Sequence, residues 1–160
     1  MSKAPNKKKQ SVSIQNRKAF HEYHVLETYK AGLVLTGTEV KSIRLGKASL
    51  NEAHARVDKG ELFLYGMHIS PYEQGTHYNH QPDRIRKLLL TRREINRLMG
   101  KVKESGLTLI PLRVYFERCW VKVDLGLCKG KQLHDKRDAI MQKDAKRQID
   151  RVMKQARLHE

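Results

Sequence analysis

The chain reads as mainly β with peripheral α: a small antiparallel barrel with two or three short helices and a basic C-terminal tail. Three observations predict this. Apolar and polar residues alternate in short runs between His21 and Leu127, the period of half-buried strands. Two intervening segments carry helical spacing instead. From Lys131 onward there is no Gly or Pro, and too little apolar side chain to build a core.

Taken in order, Met1 to Gln15 is a polar, Lys-rich arm, expected to be mobile. His21–Tyr29 alternates and predicts the first strand. Lys30-Ala31 reads as a short turn, after which Gly32–Leu35 resumes. Thr38–Leu45 fits a short helix with Val40 and Ile43 inward. Ala53, Ala55 and Val57 alternate with His54 and Arg56. Asp58-Lys59-Gly60 then reads as a three-residue hairpin loop, with Gly where positive φ is wanted, and Glu61–Ile69 returns as the partner strand. Ser70–Arg86 is a long loop containing Pro, Gly, two Tyr and two His.

Thr91-x-x-Glu94 is a capping box. Ile95, Leu98, Met99 and Val102 follow at i, i+3, i+4 and i+7, and Gly106 ends the helix. Leu107–Phe116 and Cys119–Leu127 flank a tight Glu117-Arg118 turn. In the second run Cys119, Val121, Val123, Leu125 and Leu127 face one way, and Trp120, Lys122 and Asp124 the other. Pro111 places its strand at an edge or a bulge. About six antiparallel strands with helices in the connections suggest an oligonucleotide/oligosaccharide-binding (OB) type of closed barrel.

One domain fits 160 residues, and no internal repeat is present. The expected parts are a basic arm (1–15), the barrel (16–130) and a basic tail (131–160). Ala145, Ile149, Val152, Met153 and Ala156 recur at helical spacing in the tail. It is expected to be disordered alone, because so little apolar surface does not offset ordering entropy, and helical where a polyanion supplies the difference.

The formal net charge is +16, unevenly placed. Residues 1–18 hold six basic groups and no acid, and residues 129–160 hold ten basic against five acidic. A body with two cationic arms points to nucleic acid, because phosphate neutralisation releases counterions. Solubility alone is the competing explanation. Neither arm has the bulky apolar face of a membrane-surface helix, no run of eighteen apolar residues occurs, and the N-terminus lacks an apolar h-region. No membrane partner is expected. Cys119 and Cys128 close the two ends of one strand, roughly 30 Å apart by strand rise, too far for a disulfide. Reduced thiols and a cytoplasmic location are expected.

Catalytic signals are weak. His77-x-x-His80 has the spacing of a metal pair, but no CxxC or convergent acidic pair accompanies it, so solvated or RNA-stacking histidines are favoured. Gly126–Lys131 lacks the phosphate-loop spacing. No enzyme and no cofactor are expected. The basic clusters are more informative. Arg17, Lys18 and His21 gather ahead of the first strand. Lys41 and Arg44 lie one helical step apart. Arg84, Arg86 and Lys87 precede Leu88-Leu89-Leu90. Lys122 shares a strand face with Trp120, a pairing suited to base stacking plus phosphate contact. Each alone is consistent with a solvated surface charge; together they favour a face for structured RNA.

Several ordered blocks resemble a known family. They are Asn16-Arg17-Lys18-Ala19, His21-Glu22-Tyr23, Ala31-Gly32-Leu33, Gly37-Thr38-Glu39-Val40-Lys41-Ser42, Met67 to Glu73, Arg86 to Leu90, Gly106 to Leu109, Lys122-Val123, Lys129-Gly130-Lys131 and His134-Asp135-Lys136-Arg137. They resemble the small protein B family, the tmRNA-binding (SsrA-binding) proteins of bacterial trans-translation, from about residue 12 to 158.

The resemblance implies an OB-like barrel that binds the tRNA-like domain of tmRNA in a 1:1 complex and stands in for a missing anticodon arm. It implies delivery to a stalled 70S ribosome, with a tail entering the empty mRNA path against small-subunit rRNA. Elongation factor Tu carrying alanyl-tmRNA would be an indirect partner. Position by position, Asn16, Lys18, His21, Glu39, Lys41, Leu89 and Lys122 match the RNA-facing side. Arg17, Arg44, Lys87, Trp120 and Lys129 complete the expected tmRNA surface. His134, Asp135, Lys136 and Arg137 match the segment that probes the decoding centre, and Lys131, Lys143 and Arg147 extend it. Two positions depart from the pattern: Lys30 stands where many relatives have an acid, and Phe20 where Arg is common. A structural ribosomal protein or general RNA chaperone is the alternative that the charge alone would also fit.

Overall fold

A computed structural model describes residues 12–75 and 78–156. The elements run β1 (Ser13–Gln15), α1 (Arg17–Glu22), β2 (Tyr23–Leu33), α2 (Gly37–Arg44), β3 (Ala48–Ser49), β4 (His54–Asp58), β5 (Glu61–Tyr65), β6 (His68–Ile69), β7 (Arg86–Leu89), α3 (Arg92–Ser105), β8 (Thr108–Glu117), β9 (Trp120–Gly130) and α4 (Leu133–Ala156). Six antiparallel strands follow in hydrogen-bonded order β8-β4-β5-β7-β2-β9, and β9 pairs back onto β8. The sheet therefore closes, which removes exposed strand edges. This is the OB-like barrel expected from the sequence. The β4–β8 seam is a single registered pair, Ala55 with Leu109. β1 joins β8 farther along, at Arg113–Tyr115.

Alternation fills the interior. Val121, Val123, Leu125 and Leu127 point inward from β9, meeting Leu33, Leu62, Leu64, Leu88 and Val114 in one buried cluster. Trp120 and Lys122 point outward, as their spacing predicts. α2 adds Ile43 to the core and α3 adds Leu98. α3 begins at the expected capping box, where the Thr91 N–H and hydroxyl both donate to the Glu94 carboxylate at 2.9 and 2.6 Å. It ends at Gly106, which takes φ 58°.

Pro111 marks a bulge. The β8–β9 register shifts between Pro111 and Arg113, and the carbonyls freed there turn toward Asn16. Asn16 donates its backbone N–H to Leu112 O at 2.8 Å and its side-chain amide to Pro111 O and Leu50 O at 3.1 and 2.9 Å. Its Oδ1 accepts from the Ala19 N–H at 3.0 Å, capping α1. One buried side chain thus ties the start of the chain to the bulge.

Several expectations need correction. β2 runs unbroken through Lys30-Ala31, because Ala31 and Leu33 continue the inward alternation toward the core. The β4–β5 hairpin loop has two residues, Lys59 and Gly60, both at positive φ, the geometry that matches strand twist. Glu61–Ile69 divides at Gly66, which takes φ 69°, and β6 pairs with β3 instead of β4. Glu117 belongs to β8, opposite Trp120, so the turn is Arg118-Cys119 and Cys119 is exposed. α1 and β1 add two elements to those the sequence predicts. Ser13–Gln15, assigned to the arm, pair with β8, so the barrel's contacts begin before residue 16. The remainder of the arm, residues 1–11, lies outside the described residues, as do His77 and residues 157–160.

Candidate nucleic-acid interface

The expected contact residues divide into two groups at opposite ends of β9. β9 has eleven residues, so at strand rise its ends stand about 33 Å apart, and Lys122 and Lys129 on it about 23 Å apart. The resemblance implies one RNA-facing side, whereas the structure sets these residues in two groups.

The first group surrounds the β8–β9 turn. Lys122 of β9 is in register with Gly32 of β2, which is in register with Leu89 of β7. Gly32 lacks a side chain there, and an added Cβ would stand 3.2 Å from the Leu89 Cβ. This leaves a shallow groove of about 460 Å³ lined by Leu89, Trp120, Lys122 and Val40 of α2. Trp120 is 72% exposed and Leu89 51%, so the apolar faces that line the groove are open to a ligand. Lys41 and Arg44 stand on the exposed side of α2. The Lys41 ammonium lies 5.2 Å from the Tyr72 ring centre and the Arg44 guanidinium 5.7 Å from that of Phe116. Neither they nor Lys122 has a carboxylate within ion-pair distance among the described residues. Lys87 differs, since it pairs with Glu61 at 2.5 Å.

Glu39, expected to face RNA, is entirely buried and cannot touch a ligand. Its Oε2 accepts from the Thr36 N–H at 2.7 Å, holding the first turn of α2. Arg84 donates to both carboxylate oxygens at 2.9 and 2.7 Å, and Arg86 to Oε1 at 2.8 Å. Burial alone would push the Glu39 carboxyl up. The Arg84 and Thr36 hydrogen bonds and the Arg86 charge more than offset it and hold the group at about 2. Arg86 is fully buried too, donating to Met67 O and Pro82 O at 2.6 and 2.9 Å. Glu39 therefore fixes α2, and with it Lys41 and Arg44. The Thr36-x-x-Glu39 spacing was the available signal for this cap.

The same knot anchors the Ser70–Arg86 connection on α2. His80 joins in, its Nδ1 2.9 Å from Thr38 Oγ1 and its Nε2 3.0 Å from Ile69 O. With both ring nitrogens engaged, His80 is a fastening of this loop; His77, the other half of the expected pair, lies outside the described residues. No group of three or more His, Cys, Asp or Glu with metal-binding geometry occurs among the described residues.

The second group lies where α1 meets the far end of β9. Arg17, Lys18, His21 and Lys129 are exposed. Lys18 pairs with Glu52 at 2.7 Å, while Arg17 and Lys129 have no acidic partner among the described residues. Asn16, expected here as a contact, is buried and acts through the bulge described above. Of the departures from the family pattern, Phe20 is exposed and Lys30 stands on β2 opposite Asp124, whose carboxylate is held by Arg113 at 2.8 Å.

The tail leaves from this second group. The Lys131 N–H donates to Glu22 O at 2.9 Å and its ammonium to Phe20 O at 3.0 Å. α4 then runs for 24 residues. From Arg137 to Gln155 every residue is exposed, Lys143 and Arg147 included. His134 is exposed, and Asp135 and Lys136 are half-buried near the barrel. No helix among the described residues is long and apolar enough to cross a membrane.

A closed β-barrel with an exposed Trp–Leu groove, an extended cationic helix and, at both ends, cations without an acidic partner among the described residues defines an RNA-binding module of the OB-like class. The SmpB protein family model matches residues 13–155, and the chain belongs to that family. It is 58% identical over 149 residues to the SsrA-binding protein of Pelotomaculum thermopropionicum, spanning 92% of this chain and 97% of that one. It is 61% identical over 138 residues to the SsrA-binding protein of Desulforudis audaxviator, spanning 86% and 90%. A solved structure described as "tmRNA-SmpB: a journey to the center of the bacterial ribosome" contains a chain with TM-score 0.65 and 49% identity, covering 81% of this chain and 94% of that one.

Proposed function

We propose that this protein is a non-enzymatic, cytoplasmic factor of trans-translation that binds the tRNA-like domain of tmRNA as a monomer. It delivers that RNA to stalled 70S ribosomes and lays its tail in the vacant decoding centre and mRNA channel. The SsrA-binding names of its relatives supply the RNA partner. The Lys122–Gly32–Leu89 row beside Trp120 carries the reading within the chain. It combines an apolar platform with free cations, the chemistry that grips an unstacked nucleotide and its phosphate.

The two cationic groups divide the labour. Lys41, Arg44, Lys87, Leu89, Trp120 and Lys122 hold one part of the folded RNA; Arg17, Lys18, His21 and Lys129 hold another about a strand's length away. Lys131, His134, Lys136, Arg137, Lys143 and Arg147 face ribosomal RNA. The solvated α4 is stable only where rRNA phosphates neutralise its charge, so the tail is loose in the free protein. Truncation after Arg137 tests the division: affinity for tmRNA is retained and peptide tagging is lost. Retained tagging overturns the tail's role. Recovery of stoichiometric rRNA of free subunits, instead of one dominant tmRNA, on affinity capture overturns the partner.

A further inference from the structure

Within His134–Arg137, the stretch proposed to probe the decoding centre, Asp135 is the one acid, in a tail that must approach rRNA. A carboxylate is poorly suited to a phosphate surface, and the structure gives it other work. Asp135 is the third residue of α4, and its Oδ2 accepts from the Gln132 N–H at 3.2 Å, one turn back. Across the gap to the barrel, Oδ2 lies 3.6 Å from Nε2 of His24 on β2. Oδ1 lies 3.1 Å from Nε2 of His134. The Gln132 N–H, then His134 and His24, hold the Asp135 carboxyl below the usual carboxylate range.

We propose that His24 and Asp135 form the joint that fixes where the tail leaves the barrel, making both positioning residues instead of RNA contacts. Lys131 pins the chain just before the helix through Glu22 O and Phe20 O. That contact fixes a point but leaves rotation about it. Asp135 adds a second point one helical turn on, and two points define a direction. The joint captures only the first turn, so the rest of α4 remains free to melt and reform. The distinction bears on the function proposed above, on which its importance for tagging rests: a tail launched in the wrong direction misses the channel however well its cations bind.

The test is amide hydrogen exchange of the full-length protein, read at Gln132 to Arg137. Wild type shows protection at these amides exceeding that at residues 148–154. His24→Ala and Asp135→Ala each accelerate exchange at Gln132–Arg137 at least fivefold, and the double variant exchanges no faster than the faster single. His24→Gln, which keeps an N–H donor within reach, restores protection and restores tagging lost in His24→Ala. Exchange unchanged in His24→Ala, or fully additive effects in the double variant, overturns the joint. Loss of tmRNA binding by wild-type protein, with coupled protection intact, would fall on the proposed function alone.

Discussion

Glu39 and Arg86 form an ion pair of 2.8 Å in which neither side chain has any exposed surface. Such a pair stabilises little relative to an apolar substitute, but breaking it strands a charge. Glu39→Gln should therefore cost roughly 3–5 kcal/mol at pH 7. The sign with pH follows from the carboxyl's depression to about 2 from an ordinary value near 4.5. The stabilisation is complete above the unfolded value and is lost as pH falls from about 5 toward 2, in total about 3 kcal/mol. Urea unfolding of both proteins at pH 7 and pH 3 checks this. The gap between them should narrow at pH 3, and a gap independent of pH would contradict the assignment.

Trp120 and Leu89 carry little folding energy, because both already meet solvent. Their value lies in the groove. Trp120→Ala is expected to weaken RNA binding by about 1–3 kcal/mol, the range for losing one stacked base. Its thermal midpoint should remain near that of wild type. An unchanged dissociation constant at matched salt, measured by fluorescence anisotropy, would remove the groove from the interface.

Salt dependence separates free cations from engaged ones. Lys41→Ala and Arg44→Ala should each lower the slope of log affinity against log salt by about 1, since each frees one phosphate contact's counterions. Lys87→Ala and Lys18→Ala should change it less, because Glu61 and Glu52 already compete for those ammonium groups. Equal slopes for all four variants would mean that the ion pairs open on binding.

Residue chemistry shows how far the chain could be read without its fold. The barrel was legible because Val121, Val123, Leu125 and Leu127 state the inward face outright. The Pro111 bulge was legible because proline cannot donate to a ladder. Lys30-Ala31 misled, because local polarity says nothing of the neighbouring strands that extend β2 past it. α1 was missed because its six residues are held by Asn16 and the bulge, not by propensity. At the candidate site, the exposure of the cations and of Trp120 was legible from residue type. The burial of Glu39 and Asn16 was not, since a polar residue's type does not record whether a cap or an ion pair draws it into the core.

The two cysteines should report their surroundings separately. Cys119 sits exposed in the β8–β9 turn, whereas burial pushes the Cys128 thiol up to about 11. An aromatic disulfide reagent at pH 7.5 should titrate one thiol in the native protein and two in denaturant, because the thiolate is the reacting form. Two native thiols reacting at similar rates would place Cys128 outside the core.

Gly66 is the position where glycine is least replaceable. Its φ of 69° favours glycine, and an added Cβ would meet the Glu52 carbonyl oxygen at 2.5 Å. That oxygen belongs to backbone and has no rotamer to yield. Gly66→Ala combines left-handed strain with a clash and should cost at least about 2 kcal/mol. Gly37 supplies the control, because an added Cβ there meets nothing within 4 Å and it opens α2. Gly37→Ala should be neutral or stabilising by up to about 1 kcal/mol, since alanine restricts the unfolded chain and favours helix. Comparing the two by urea denaturation cancels the shared change in side chain. Equal midpoints would show that β5 does not need the bend by which Gly66 directs the chain to β6, and that the division of Glu61–Ile69 between two sheets has some other cause.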